Sequence, residues 1–240
     1  MLVKRILVCF LILIAIRVYA QQREIVIATL EYPPFIYSEE NQVKGPIVDK
    51  INDVFDKMGV RVNIQMLSIA RGLLMVENGD VDAYFSLKKT PEREKKLLFT
   101  KVPLIQQPFV FFAKTGSSIE WNGDVNSIKN YRIGVVSKTS YGKIFDGYVK
   151  NNVITNIDES RSFELNIKKL IAGRVDLVIN SYDVGKHLLD KYDAGSKIVS
   201  LNPPVEIVNS YLAFTKVRNY TDLANQFDII LCKDSSKNVL

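Results

Sequence analysis

Hydrophobic and polar residues follow two different spacings along this chain, and together they predict an α/β fold. Residues 24–30 form a short, almost continuously apolar run that is typical of a buried strand. Residues 46–58 instead place apolar side chains every three or four positions, as one face of a helix does. Pro46 in the first turn and Gly59 just beyond the last turn fit the capping preferences of such a helix.

The same two spacings alternate along the rest of the chain. Further strands are predicted at residues 61–67, 81–86, 131–136 and 175–180, and further helices at residues 68–77, 140–150, 163–171 and up to Lys191. Such alternation is the pattern of sheets covered by helices. Residues 78–85 and 172–179 both carry a glycine stop, Val-Asp and a buried strand. This indicates either two similarly built lobes or one common type of helix-to-strand turn.

Two longer β-rich runs, residues 105–114 and 205–216, flank the second of these units on either side. A chain that leaves one lobe, builds a second and returns makes a two-strand hinge, and such hinges permit rigid closure over a ligand. We expect lobe 1 to comprise residues 21–106 and 210–240, and lobe 2 to comprise residues 107–209.

The N-terminus has the features of a secretory signal peptide. Lys4 and Arg5 precede an apolar run over residues 6–16, and Ala20 supplies a small residue at the cleavage point. The run is too short to span a bilayer. We therefore expect cleavage after residues 1–20, a mature chain that starts at Gln21, and a location in the periplasm.

Charge and cysteine content narrow the function classes. The formal net charge of +6 falls to +3 when the leader is removed, because Lys4, Arg5 and Arg17 leave with it. No block of Lys and Arg interleaved with aromatic residues is present, so we expect no nucleic-acid partner. The chain also has no His/Cys cluster and no phosphate-binding loop, so we expect no metal and no other cofactor. Cys232 is the one cysteine beyond the leader, so stability must come from packing.

The sequence Thr90-Pro-Glu-Arg93 places an arginine at the start of a short helix. Thr90 is a good N-cap and Pro91 a good first helical residue, so Arg93 falls in the first turn. Its planar fork can bind a carboxylate in a geometry that lysine does not reproduce. The alternative is an exposed arginine that pairs with Glu92 or Glu94.

Four other residues are candidates for ligand contact. Thr139 and Ser140 open a predicted helix directly after a strand, where free N–H groups and the helix dipole would form an anion site or serve as a plain cap. Tyr32 would either stack on a ligand or pack against the sheet edge. Ser86 ends a predicted strand and could donate a hydrogen bond to a ligand.

These motifs occur in an order that resembles the bacterial family 3 extracellular solute-binding proteins over the whole mature chain. The resemblance rests on residues 32–35 (YPPF), 45–49 (GPIVD), 79–83 (GDVDA), 90–93 (TPER), 99–100 (FT) and 132–140 (RIGVVSKTS). It implies a two-lobed periplasmic-binding-protein fold of type II, in which each lobe is a mixed sheet flanked by helices. It also implies a monomer that captures an amino acid or related carboxylate by hinge closure and delivers it to an ABC permease. Arg93 matches the arginine that holds the α-carboxylate.

Three positions depart from the family pattern. Lys88 stands where a ligand-donating hydroxyl is common, and Lys138 replaces a glycine. Ser181 stands where the family has the aspartate that pairs with the α-amino group. A buried ammonium without a carboxylate partner is costly, so either Asp183 or Glu31 substitutes or the ligand lacks an α-ammonium. The lysines favour a ligand that is more anionic than a neutral amino acid.

Two other functions remain open to the same fold. One is a cyclohexadienyl dehydratase-like enzyme in which Glu31 or Asp183 would act as an acid or base. We expect no catalysis, because the chain has no nucleophile elbow and its one histidine, His187, lies mid-helix on the predicted surface. The other is a ligand-sensing protein without a transporter.

Overall fold

The computed structural model describes residues 24–237, so the predicted signal peptide lies outside the described residues. The strands are β1 (Ile25–Thr29), β2 (Tyr37–Glu39), β3 (Gln42–Lys44), β4 (Val62–Met66), β5 (Ala83–Leu87), β6 (Leu97–Phe99), β7 (Ile105–Lys114), β8 (Ile133–Val136), β9 (Ile157–Ser160), β10 (Leu177–Ser181), β11 (Ile198–Ser200) and β12 (Glu206–Thr215). The helices are α1 (Pro46–Lys57), α2 (Ile69–Asn78), α3 (Pro91–Lys96), α4 (Lys143–Lys150), α5 (Phe163–Ile171), α6 (Tyr182–Lys191) and α7 (Thr221–Lys237), with a 3-10 turn at Val125–Ser127. Within residues 24–237, none of the helices has the length and apolar character needed to cross a membrane.

Apart from the separate β2–β3 hairpin, the strands form two sheets that are joined in the middle, and the core of each sheet is parallel. In the first, β1 pairs in parallel with β4 and β5, and β12 and β6 add antiparallel strands. In the second, β8 pairs in parallel with β9 and β10, and β7 and β11 add antiparallel strands. Helices cover both sheets: α2 packs on β1 and β5, and α5 packs on β8 and β10. The predicted alternation of strands and helices is confirmed.

Strands β7 and β12 connect the two sheets. Through Tyr211 and the residues after it, β12 pairs with β5 and β6, whereas residues 206–210 of the same strand pair with β7. The two antiparallel strands therefore run from one sheet into the other. The predicted two-strand hinge is confirmed.

The aspartate of the repeated Val-Asp motif makes the same pair of hydrogen bonds in both sheets. The Asp82 carboxylate accepts from the N–H of Val26 at 2.9 Å, and the Asp176 carboxylate accepts from the N–H of Arg132 at 2.8 Å. The backbone N–H groups of these aspartates donate in turn to the carbonyls of Val26 and Arg132, at 2.8 and 2.9 Å. Each aspartate thus fixes the start of the first strand of its sheet, so the motif is a structural repeat.

The helix ends show why the polypeptide enters and leaves each helix where it does. Gly45, before α1, has a φ of 122° and leaves no room for a side chain, since an added Cβ would lie 2.3 Å from the Phe35 carbonyl oxygen. The Ser162 side chain caps α5 by accepting from the N–H of Leu165 at 3.2 Å. These local signals were readable, and α1, α2, α5 and α6 match their predicted ranges closely.

Two glycines inside helices give a matched test of this packing. An added Cβ at Gly185 of α6 would lie 2.2 Å from the buried ring of Phe112 on β7, whereas one at Gly147 of α4 would meet nothing within 4 Å. We expect Gly185→Ala to destabilise the protein by about 1–3 kcal/mol because the core has no space. Gly147→Ala should stabilise it by up to about 1 kcal/mol through helix propensity.

Thermal unfolding followed by circular dichroism measures both effects. At about 2–4 °C per kcal/mol for a chain of this size, the midpoint should fall for Gly185→Ala and rise slightly for Gly147→Ala. Equal shifts in the two variants would contradict the packing of α6 against β7.

Candidate functional site

A cleft lies between the two sheets, at the carboxyl ends of their parallel strands. A small inner cavity of about 20 Å³ is lined by Ser86, Lys88 and Arg93 from the first side and by Thr139, Ser140 and Phe163 from the second. The loops that follow parallel strands are the usual place for ligand sites in α/β folds. The cavity therefore stands where a small ligand would touch both sides.

The inner cavity opens into a larger outer one. The outer cavity, of about 390 Å³, shares Leu30, Ile69 and Phe163 with the inner one and adds Glu31 and Arg161. Partial burial raises the pKa of the Glu31 carboxyl, and a hydrogen bond from the Ser38 backbone opposes this. The carboxyl group of Glu31 and the guanidinium of Arg161 therefore lie at the entrance of the cleft.

Arg93 reaches across the cleft from the first turn of α3. The Thr90 hydroxyl accepts from its backbone N–H at 3.3 Å, as the cap predicted. Its guanidinium donates through Nη1 to the carbonyl of Lys88 at 2.8 Å and through Nη2 to the carbonyl of Lys138 at 2.7 Å. The side chain is 9% exposed and forms no ion pair with any described residue. The exposed arginine paired with Glu92 or Glu94, weighed as the alternative, is not what the structure contains.

Lys88 brings a second buried cation to the same cavity. It is 8% exposed, and its Nζ lies 4.7 Å from the ring centre of Phe109 and 5.7 Å from that of Tyr32. Burial lowers the pKa of this ammonium to about 7; the charge of Arg93 adds to the decrease, and that of Asp146 opposes it. Within residues 24–237 the ammonium has no hydrogen-bond or ion-pair partner.

Tyr32 packs between the two sides and takes part in a hydrogen-bond chain. Its hydroxyl donates to Gln107 Oε1 at 3.1 Å, and Gln107 Nε2 donates to Ser181 Oγ at 2.9 Å. Its ring centre lies 5.2 Å from that of Phe163 on the opposite side. The buried Tyr32 and Ser181 are not among the residues that line the inner or outer cavity.

Asp183 is also placed away from the cleft. It is exposed in the first turn of α6, and it lines neither the inner nor the outer cavity. His187 is exposed on the same helix, as predicted.

The predicted helix start at Thr139 and Ser140 is wrong. Helix α4 begins at Lys143, because Gly142 has a φ of 108°, which is not helical. Glu206 packs closely against Gly142: an added Cβ there would lie 2.3 Å from Glu206 Oε2. Glu206 accepts from the N–H of Ile144 at 2.8 Å. A carboxylate of the protein thus already occupies the start of α4, and the predicted anion site at Thr139 and Ser140 is not formed.

Thr139 and Ser140 nevertheless line the inner cavity in an extended loop. The Ser140 hydroxyl donates to Asp146 Oδ2 at 2.5 Å, and Asp146 Oδ1 accepts from the N–H of Tyr141 at 2.9 Å. The buried hydroxyl of Thr139 has no partner among the described residues. One unpartnered hydroxyl therefore comes from the second side.

Two non-glycine residues beside the cavity adopt the left-handed conformation. Ser86 has a φ of 63° and Lys138 a φ of 62°. Strained backbone of this kind clusters at functional sites. At Lys138 the carbonyl of this strained residue accepts from Arg93.

Sequence reasoning missed Gln107, Phe109, Phe163 and Arg161 as parts of the site. Gln107 and Phe109 lie on the predicted hinge strand, and Phe163 was read only as the first apolar residue of a helix face. The polar pair Gln106-Gln107 near the start of a largely apolar hinge strand was the one signal that could have pointed to Gln107. Within residues 24–237, no group of three or more acidic, histidine or cysteine side chains could hold a metal ion.

The structure resembles several solved proteins. A histidine kinase sensor domain with similarity to periplasmic binding proteins superposes with a TM-score of 0.80 at 14% identity, covering 91% of this chain and 92% of the other. The substrate-binding protein of an amino-acid ABC transporter gives a TM-score of 0.74 at 21% identity, covering 90% and 95%. The holo arginine-binding protein of T. maritima gives 0.76 at 17% identity, covering 91% and 93%. These similarities confirm the predicted two-lobed type II fold.

Sequence comparison points the same way. No curated protein sequence matches the chain significantly. The sequence profile of the bacterial extracellular solute-binding proteins, family 3, matches residues 25–228, which is most of the chain. This chain therefore belongs to the bacterial extracellular solute-binding proteins, family 3.

Proposed function

We propose that the protein is an exported binding protein that clamps a small carboxylate-bearing molecule between its two lobes. Lobe 1 would comprise residues 21–106 and 210–240, and lobe 2 residues 107–209. The observation that carries the proposal is the buried guanidinium of Arg93, which lines the inner cavity and forms no ion pair with any described residue. Lys88 and Ser86 would add contacts from lobe 1, and Thr139 and Ser140 from lobe 2.

A carboxylate is the ligand group that this guanidinium favours. Arginine has five N–H donors, and two hydrogen bonds go to the carbonyls of Lys88 and Lys138. Peptide carbonyls satisfy donors but do not neutralise a charge taken out of water. A carboxylate in the cavity would supply both the missing acceptors and the missing negative charge.

Closure of the lobes would bind the ligand and hold it. The bond from Arg93 to the Lys138 carbonyl and the contact of Tyr32 with Phe163 both join the two sides. A ligand that touches Arg93 and Thr139 together would add contacts that an open form lacks. Such differential contacts are what shift a two-state protein toward its closed form.

Import through an ABC permease is the role we favour. The solved substrate-binding protein of an amino-acid ABC transporter and the arginine-binding protein of T. maritima support an amino acid or a relative as the ligand. The predicted signal peptide supports a periplasmic location, and we propose that the protein acts there as a monomer. Mass spectrometry of the small molecule that copurifies with the natively expressed protein would identify the ligand.

Ligand sensing is the second candidate. It is favoured by the similarity to a histidine kinase sensor domain at a TM-score of 0.80. Genes for a permease and an ATPase beside this one would support import, whereas a neighbouring kinase gene without a permease would support sensing.

Catalysis is not part of our proposal. Of the two acids weighed for a dehydratase, Asp183 is exposed outside the cleft and Glu31 lies at its exposed mouth. Neither has the enclosed setting that an acid/base group needs to act at the inner cavity. Turnover of arogenate or prephenate by the purified protein would contradict this view.

Arg93→Ala should remove most binding without unfolding the protein. Truncating one partner of a buried charge pair costs about 2–5 kcal/mol, so affinity for the copurified ligand should fall about 30-fold or more. Arg93→Lys should recover only part of it, because lysine lacks the planar fork. Isothermal titration calorimetry measures the affinities, and circular dichroism checks the fold.

Arg71→Ala is the matched control, because Arg71 is exposed on α2. It should bind like the unaltered protein. If the Arg93→Ala variant kept full affinity, the proposed contact between Arg93 and a ligand carboxylate would be wrong.

Phe163→Ala should shift the unliganded protein toward an open form, because it removes the ring that contacts Tyr32 across the cleft. The radius of gyration from small-angle X-ray scattering should rise, and ligand should lower it again.

Phe227→Ala is the control: it removes a ring that packs 5.3 Å from Phe55, and both rings lie in lobe 1. That variant should lose stability by about 3–5 kcal/mol but keep its radius. An unchanged radius in Phe163→Ala would count against this contact as a closing element.

A further inference from the structure

We propose that the cleft at the inner cavity binds a compact organic dianion without an ammonium group, admitted when the lobes open and then held by Arg93 at one anionic end and by Lys88 at the other. This rests on the proposed function and names the ligand class for the same site. Dicarboxylates and phosphonate-bearing or sulfonate-bearing carboxylates share this chemistry.

The two cations enclose the same space. Both Lys88 and Arg93 line the inner cavity, and each is less than a tenth exposed. They come from opposite ends of the turn between β5 and α3, and Arg93 donates to the backbone carbonyl of Lys88. That bond holds the start of the turn against the guanidinium while leaving the ammonium of Lys88 free of any described hydrogen-bond partner.

The surroundings of Lys88 hold its ammonium in place without neutralising it. Phe109 from β7 and Tyr32 from the loop after β1 present their rings to Nζ. Ring faces attract a cation by about 0.5–2 kcal/mol, which falls short of the several kcal/mol that burying an ion costs. The ammonium therefore needs a further partner, and the open side is the cavity.

No acid among residues 24–237 occupies that side. The residues that line the inner cavity include no aspartate and no glutamate. Asp146, whose charge acts on both Lys88 and Arg93, already accepts from the Ser140 hydroxyl and the Tyr141 N–H. A ligand ammonium would thus meet two cations and no free carboxylate, at the full cost of an unpaired buried charge.

Ser181 removes the remaining place for an ammonium partner. It is fully buried, accepts from Gln107 and carries no charge. A zwitterion would neutralise one cation and add another, whereas a dianion neutralises both. Charge balance inside a closed cavity therefore separates the two ligand classes.

The protonation of Lys88 gives the proposal a signature. The groups that face its ammonium are Arg93, Asp146, the ring of Phe109 and Tyr32; burial raises the pKa of the Tyr32 hydroxyl, so Tyr32 stays neutral. In the free protein the pKa of Lys88 is about 7. An adjacent anion favours the charged form and raises that pKa, so binding above pH 7 takes up a proton and affinity falls as pH rises.

Four-carbon probes separate the classes at constant size. Succinate carries two carboxylates, butyrate one carboxylate, and 4-aminobutyrate one carboxylate and one ammonium; phosphonoacetate tests the phosphonate alternative. Calorimetric titration of the whole mature protein should show succinate or phosphonoacetate binding at least tenfold more tightly than butyrate and 4-aminobutyrate. Lys88→Met should abolish this preference while leaving weak butyrate binding through Arg93.

Lys89→Met is the matched control. Lys89 is the next residue, and its Nζ lies 3.9 Å from the ring centre of Tyr211; it is not among the inner-cavity residues. That variant should keep the dianion preference. Lys88→Met replaces a buried unpaired charge by an apolar side chain, so it should unfold at the same or a higher temperature than the unaltered protein.

The pH dependence is a second readout. Between pH 7 and pH 8 the protonated fraction of free Lys88 falls from about one half to about one tenth, so dianion affinity should fall about fivefold. Lys88→Arg keeps its charge over this range and should show little change with pH. Titrations in buffers of different ionisation enthalpy should show proton uptake in the unaltered protein alone.

The outcomes separate this inference from the function on which it rests. Binding of butyrate and 4-aminobutyrate as tight as that of succinate, with Arg93→Ala still abolishing it, would overturn the dianion and leave the carboxylate clamp standing. Unchanged succinate affinity in Lys88→Met would do the same. If no carboxylate or phosphonate binds, and the copurified ligand lacks an anionic group, both the dianion inference and the proposed carboxylate clamp are wrong.

Discussion

Burial of positive charge in the cleft is the constraint around which the site is arranged. The guanidinium of Arg93 and the ammonium of Lys88 are both withdrawn from water, and neither forms an ion pair with a described residue. Burying one ion costs several kcal/mol even after relaxation. The protein offsets part of this with backbone carbonyls and ring faces, which position a cation without cancelling its charge. The remainder is available to a ligand that arrives with negative charge.

The fold explains how cations from distant parts of the chain meet at one point. Asp82 and Asp176 fix the starts of β1 and β8, so the two parallel sheets are built alike and present their carboxyl ends to each other. Strands β7 and β12 cross between the sheets and leave the cleft open at those ends. Arg93 then needs only the short helix α3 to reach the Lys138 carbonyl, 45 residues away in the sequence. The geometry of the site follows from sheet pairing together with the local cap that Thr90 makes at the start of α3.

Local signals predicted the regular elements well, and they failed where a long-range contact decides the structure. The apolar spacing and end residues of α1, α2, α5 and α6 lie within each segment, so their ranges were readable. The start of α4 was not, because Glu206, distant in sequence, engages its first turn and Gly142 reverses the chain ahead of it. The hairpin of β2 and β3 and the polar strand β9 were missed since they are short and lack apolar alternation. Arg93 could be named from its motif, whereas the burial of Lys88 depends on Phe109 and Tyr32.

The departures from the family pattern make sense as one electrostatic change. By the resemblance set out from the sequence, Lys88 stands where a hydroxyl is expected, and Ser181 stands where an acid is expected to pair with an ammonium. The Ser181 hydroxyl accepts a hydrogen bond from Gln107, and Gln107 accepts one from the Tyr32 hydroxyl. All three groups in this hydrogen-bond chain are neutral. An aspartate at position 181 would place a negative charge within this hydrogen-bond chain and strengthen the acceptor for Gln107. With serine at position 181, the hydrogen-bond chain stays neutral. The positive charges of Lys88 and Arg93 are then neutralised only when an anionic ligand binds.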